Sequence, residues 1–499
     1  MKIRILSALL ALLILASVVG CSSGSNTDAD TTKQTTAADP TTTAADDTQI
    51  TEGDTAEAAD TETTEADTTE EVVVVRPKLS HRDEIKMYIG NGGDRMLWIA
   101  DENSADVISN GVYRKNVAVE EALDCPVSMR YENIGWDSRQ EMYDTIANGV
   151  NTNNHAYDVV TGYSVVPPML VINGYMQRME TLDYIDFTKT WWASKLMEEL
   201  TVGGRVYLAS GDASLGLFEA LYVMFFNQNM VINYHMEDPY DLVLNGTWTL
   251  EKLDEIMKIF DGGEIPALEI NHATQASAFI SSLGIHITEL NTDGDPEFVF
   301  GTQSAIDKTD ALQAVLRSDA FKVDTEWRNH FVSQASFSTI CDMKFARTVR
   351  TQNITFDWGC VPLPKYDEKS EYRVWAATNI ALFCIPRDAL SGTDSAIFLE
   401  EYSAQSNAIT TPRYYEVALK VQFSPDETTA EIFDIIRTGV DFQFGAVFAN
   451  EFQPKNPYSC WRSTAVSKTA TWESVYDQYE SGWHTSLTEM ITTIKSFPQ

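Results

Sequence analysis

Eleven Trp and twenty Tyr supply the chain with flat rings, and six residues stand where rings and polar groups can meet a ligand. Tyr163 follows a predicted strand end, the position at which open α/β sheets place ligands. Trp136 lies after a predicted strand and before a predicted helix. Asp212 closes the loop Ser210-Gly211-Asp212. Trp375 sits in Val374-Trp375-Ala376-Ala377-Thr378-Asn379, and Asn379 and Arg413 are further polar candidates. Rings of this kind stack on the apolar face of a cyclic solute. Carboxylates and amides hold its hydroxyl rim. The plain alternatives are packing for the rings and a solvated loop acid or helix cap for Asp212.

Catalytic constellations are missing. The chain has no Gly-x-Ser-x-Gly, His-Glu-x-x-His or Gly-x-x-x-x-Gly-Lys, and Gly90-Asn91-Gly92-Gly93 falls short of a dinucleotide fingerprint. The seven His are scattered, with no metal-like pair at helical spacing, so neither a metal nor a cofactor is expected. Asn291-Thr292-Asp293-Gly294-Asp295-Pro296-Glu297 lacks the sixth-position glycine and distal Glu of a calcium loop, and reads as an acidic hairpin turn. Beyond Cys21, the residues Cys125, Cys341, Cys360, Cys384 and Cys460 are widely spaced and odd in number. That argues against a disulfide framework or a cysteine zinc site and for small buried hydrophobes.

Short apolar strands alternate with amphipathic helices. Met87–Ile89 and Met96–Ala100 read as strand pieces, Val112–Leu123 as a helix, Val127–Tyr131 as a strand, and Asp137–Val150 as a helix burying Met142, Ile146 and Val150. Asp158–Tyr163 and Leu221–Asn227 read as strands, and Thr249–Phe260, Ala396–Gln405, Thr428–Thr438 and Trp472–Ile494 as helices. This rhythm predicts an α/β class with a largely parallel sheet.

Lys2 and Arg4 precede an apolar run over 5–16, the length of a secretory leader and too short to span a membrane. The run ends in Val18-Val19-Gly20-Cys21, which resembles a bacterial lipoprotein signal. The resemblance implies cleavage after residue 20 and lipidation of Cys21. Residues 22–71 hold sixteen Thr and fourteen Asp or Glu with no aromatic residue, and so predict a disordered tether within 21–71. The formal charge is −37, of which about −26 falls on residues 72–499. Such acidity excludes nucleic acid as a partner and suits a monomer at a crowded surface. A length of 428 residues beyond the tether predicts two lobes.

Several segments, in order, resemble extracellular solute-binding proteins of family 1, the binding components of carbohydrate-type ABC importers. They are Gly111–Glu121, Tyr157–Tyr163, Leu182–Trp192, the Gly-Gly hairpin Val202–Tyr207, Val223–Gln228, Asn245–Leu253 and Trp358-Gly359-Cys360-Val361-Pro362-Leu363-Pro364-Lys365-Tyr366. One departure is Gln334, in Phe331–Phe337, where the family carries Gly. The resemblance implies a two-lobed periplasmic-binding-protein-like fold of type II. Lobe 1 is expected over about 80–218 and 325–375, and lobe 2 over about 219–324 and 376–499. It further implies capture of a small solute, a sugar or oligosaccharide, in an interlobe cleft. Delivery would be to ABC permease subunits, by a protein held at the cell membrane through its lipid. Two alternatives stand beside it. A surface carbohydrate-active enzyme needs two carboxylates about 5–5.5 Å apart if retaining. A solute-sensing module uses the same fold without transport.

Overall fold

Strands Ile85–Gly90 (β1), Val127–Glu132 (β2), Val159–Tyr163 (β3) and Ala381–Cys384 (β12) form one sheet, in the order β12-β3-β1-β2. The structure is a computed structural model that describes residues 78–498, apart from 81, 94, 105, 352–353, 377–379 and 415–426. β1 runs parallel to β2 and β3, while β12 is antiparallel to β3. β3 is buried along its whole length and β1 at every position but Lys86, as apolar strands covered on both faces must be. Gly90 and Gly162 are register partners. A Cβ on Gly162 (φ +145°) would lie 1.8 Å from the Gly90 carbonyl oxygen, so only glycine permits this approach. The flanking helices follow the predicted spacing. Val107–Leu123 starts at Asp106, whose carboxylate accepts from the Ser109 N–H at 2.7 Å. Arg139–Thr152 buries Met142, Ile146 and Val150.

Tyr222–Asn227 (β4), Leu268–Ile270 (β5), Phe321–Val323 (β8), Ser338–Asp342 (β9) and Trp358–Val361 (β10) form a second sheet, in the order β10-β4-β9-β5-β8. β4 is antiparallel to β9 and β10; β5 is parallel to β8 and β9. Two small sheets complete the set. Thr288–Leu290 (β6) and Pro296–Phe298 (β7) make the predicted acidic hairpin, and Val374–Trp375 (β11) pairs with Val440–Asp441 (β13).

The pairing of the later strands bears on where 325–375 sits. β9 and β10 flank β4 in the second sheet, whereas β12, in the stretch expected for the second lobe, joins the first. The helix Gly392–Gln405 also packs on Val107–Leu123. An apolar run tells that a strand is buried and not which sheet takes it. Met96–Ala100 is also not a strand: Arg95–Leu97 forms a 3₁₀ turn, with the Trp98 and Ile99 N–H groups donating to the Arg95 carbonyl.

Tryptophan serves chiefly as core. Trp248, Trp461, Trp472 and Trp483 are fully buried, and each indole N–H donates within the interior, to Pro362 O, Thr309 Oγ1, Phe300 O and Lys455 O at 2.7–2.9 Å. Among the described residues the cysteines are free thiols; Cys125, Cys341, Cys360 and Cys384 are buried and Cys460 is half-buried. No described helix is long and apolar enough to cross a membrane.

Candidate functional site

Where β1 ends, the chain turns through Asn91, Gly92 and Gly93 against the neighbouring strand. The Asn91 side-chain oxygen accepts from the Gly93 N–H at 2.7 Å, and the Tyr131 hydroxyl reaches the Asn91 and Gly93 carbonyls at 2.7 and 2.8 Å. A Cβ on Gly92 would stand 2.9 Å from the Ile134 carbonyl oxygen, so glycine lets this turn lie flat. The turn, together with Leu97 and Trp98, forms one wall of a cavity of about 280 Å³. The facing wall comes from the second sheet and its helices: Arg328, Asp342 at the end of β9, Lys344, Phe345 and Thr348. The floor is Gly216, Glu219 and Ala220, on the short helix where the chain crosses into β4.

The cavity therefore lies between the two sheets, beside a crossing. Its lining alternates acceptors and donors. Glu219 and Asp342 bring carboxylates, Arg328 and Lys344 bring cations, and Asn91 and Thr348 bring an amide and a hydroxyl. Arg328 is steered from below: its guanidinium lies 4.6 Å from the Trp327 ring centre, and Nη2 is 3.3 Å from Cys341 Sγ. Burial pushes the Asp342 carboxyl above its ordinary value, against the pull of Arg328 and Lys344. Burial, reinforced by Asp342, pushes the Cys341 thiol up. That keeps the thiol neutral. Trp98 and Phe345 are both almost fully buried and offer the cavity only a margin of each ring.

None of the described candidates from the sequence lines this cavity. Trp136 is 52% exposed on a loop, with the Arg139 guanidinium 3.9 Å from its ring centre. Tyr163 is buried at the end of β3, paired with Ala381. Asp212 takes a 2.5 Å hydrogen bond from the Asn407 amide, and burial raises its carboxyl against the pull of that bond and of Arg437. Trp375 is buried and stacks on Tyr458, with centroids 5.0 Å apart and planes at 17°. It is next to Ala376, which bridges to Leu221 at the crossing. Arg413 donates from Nη1 to the Ile409 carbonyl at 2.6 Å and runs its stem over Gly111. Asn379, Cys21, the leader and the tether lie outside the described residues. Trp192 packs T-shaped on Phe187 at 5.2 Å and donates to Glu400 at 3.2 Å.

No protein-family model and no curated protein matches the sequence. Solved structures do match in fold. UgpB from Mycobacterium tuberculosis, in complex with glycerophosphocholine, aligns with a TM-score of 0.55 and 14% identity over 82% of this chain and 100% of its own. The galacto-N-biose-/lacto-N-biose I-binding protein of the ABC transporter from Bifidobacterium longum, in complex with lacto-N-biose, gives 0.55 and 14% over 83% of this chain and 98% of its own. The GacH receptor of Streptomyces glaucescens, solved unliganded and with acarbose, gives 0.52 and 10% over 83% and 100%. The fold is the two-lobed, periplasmic-binding-protein-like one.

In this binding-protein fold the cavity residues come from four separate stretches: 91–98, 216–220, 328 and 342–348. Sequence reasoning passed over Asn91-Gly92-Gly93 after rejecting it as a dinucleotide loop. The usable signal was its position directly after a buried parallel strand, the same argument that selected Tyr163. Arg328 and Asp342 carried no such mark. Asp342 reaches the cavity because β9 pairs with β4, which no local pattern announces, and Arg328 reaches it from the helix Trp327–Val332.

Proposed function

We propose that the chain is a solute-binding protein that captures a small carbohydrate between its lobes and hands it to an ABC permease. The observation carrying this reading is the cavity at the lobe crossing, walled by both lobes and lined by two carboxylates, two cations and an amide. A hydroxyl-rich solute offers donors and acceptors at every position of its rim, and this lining can answer both. Its volume of about 280 Å³ stands near the lower end of ligand sites, which run roughly 300–1,000 Å³. Closure of one lobe on the other would bring Asn91 and Trp98 toward Arg328 and Asp342 around the solute, giving the form a permease recognises. The sugar-bound states of the B. longum and S. glaucescens proteins support the same class of ligand. In this reading the protein works as a monomer outside the cytoplasm, lipidated at Cys21, with 22–71 as the tether to the membrane surface.

The test is a thermal-shift screen of the full-length chain against mono- and oligosaccharides, with calorimetry on each hit. A selective sugar at about 100 times its Kd should add roughly 2.7 kcal/mol of stability. A folded sample that answers to no sugar in the panel would overturn the carbohydrate assignment. Turnover of a glycan would favour the enzyme reading instead.

A further inference from the structure

The second sheet carries a group of donor atoms away from the cavity. Glu269, in the middle of β5, is 3% exposed and pairs in register with Thr339 of β9 and Lys322 of β8. Its Oε1 lies 2.8 Å from Nδ1 of His330, on the helix Trp327–Val332. Its Oε2 is buried and has no hydrogen-bond partner among the described residues. Asp324 directly follows β8 and is held there by its N–H, which donates to the Ile270 carbonyl at 2.9 Å. One donor atom from each of Glu269, Asp324 and His330 lies within 4.8 Å of the other two.

A carboxylate oxygen sealed in a sheet without a donor is costly, and a cation is one of the few groups that satisfies it. Lys322, its register partner on β8, is exposed, whereas an imidazole and a second carboxylate stand within reach of the buried oxygen. We propose that Glu269, Asp324 and His330 form a binding site for a divalent transition-metal cation, with zinc the best match to the donor set. Two carboxylates and one imidazole are the hard-to-borderline ligands that zinc accepts, and three protein ligands leave a fourth tetrahedral position for water. The Glu269–His330 pair needs little adjustment, while Asp324, whose donor atom lies within 4.8 Å of both, has to close in on the ion. Two ligands on a tetrahedral zinc, each about 2.0–2.2 Å from the metal, stand roughly 3.4 Å apart, so the 2.8 Å pair at Glu269 and His330 must open by only about 0.6 Å. His330 is half-buried and Asp324 exposed, so both can move and the ion has a path from solvent. The ion would pin the helix Trp327–Val332 to β5. That helix also carries Arg328, which lines the cavity on a different side.

The full-length chain, stripped with a chelator, is titrated with Zn²⁺ against a chromophoric competitor and separately with Co²⁺. The proposal expects one tight equivalent and a rise in thermal midpoint on adding Zn²⁺. The Co²⁺ complex should show visible d–d bands without a thiolate charge-transfer band. His330→Ala, at a half-buried position that leaves the core intact, should weaken binding by about 100-fold or more, and Asp324→Asn by about 10-fold. Failure of the wild-type chain to take up a stoichiometric ion, unchanged affinity in His330→Ala, or a thiolate band that assigns the ion to cysteine would each overturn it.

Discussion

On the helix Ser194–Leu200, Glu199 meets the Phe444 N–H from a distant part of the chain. Burial pushes its carboxyl from 4.5 up to about 7; the Phe444 N–H opposes the rise, and Asp441, Glu198 and Glu289 add to it. The folded protein therefore holds a proton that the unfolded chain has released between about pH 4.5 and 7. The stability linked to this group is fully present below 4.5 and is lost as pH rises through 7. Glu451, raised by burial to about 7, acts in the same direction. The urea midpoint should be lower at pH 8 than at pH 5.5, and Glu199→Gln should flatten part of that difference. Identical pH profiles for wild type and variant would contradict this account. At this scale the sequence was a partial guide. It marked the ring-rich and acidic residues, yet Trp375 and Tyr163 turned inward, because a ring that can stack on a solute can equally stack on Tyr458 or fill a strand end. A residue type carries no direction. Glu269, Asp324 and His330 were illegible for the related reason that three elements must fold before their donor atoms meet.

Helices and strands were far easier to read than their pairing. Helix limits at Arg139–Thr152, Leu250–Phe260 and Trp472–Ser496 follow the apolar period closely, since one buried face is a local property. The Gly-Gly hairpin forms as its composition requires: Gly203 and Gly204 both take positive φ, and Val202 and Arg205 exchange hydrogen bonds of 3.3 and 3.1 Å. Sheet membership of β9, β10 and β12 was not legible locally, because it is settled by contacts over a hundred residues or more. Gln334, noted as a departure from glycine, has a structural consequence. The helix Trp327–Val332 ends in a Schellman turn, with the Ala335 N–H donating to the His330 carbonyl at 2.7 Å and the Gln334 N–H to Phe331 at 3.1 Å. Gln334 sits at the left-handed position of that turn with φ 63°, which favours glycine. Gln334→Gly should raise stability by about 0.5–1 kcal/mol in denaturant melts, and a loss of stability would show that the side chain contributes more than its backbone strain costs.

As a whole, the described part of the chain holds two sheets, with a crossing at Gly216–Glu219 and the cavity beside it. Strands that pass between lobes let one rotate on the other while each keeps its own core, the arrangement that solute-driven closure requires. The strong acidity of residues 72–499 fits a carrier of small solutes and argues against polyanions. The decisive measurement is calorimetric titration of the best sugar from the screen into wild type, Arg328→Ala and Trp136→Ala. If the cavity at the crossing captures the solute, Arg328→Ala should weaken binding at least about tenfold, the loss of roughly 1.4 kcal/mol, while Trp136→Ala should leave it unchanged. Loss of affinity on replacing exposed Trp136, with Arg328→Ala binding as wild type, would place the solute elsewhere and contradict the account.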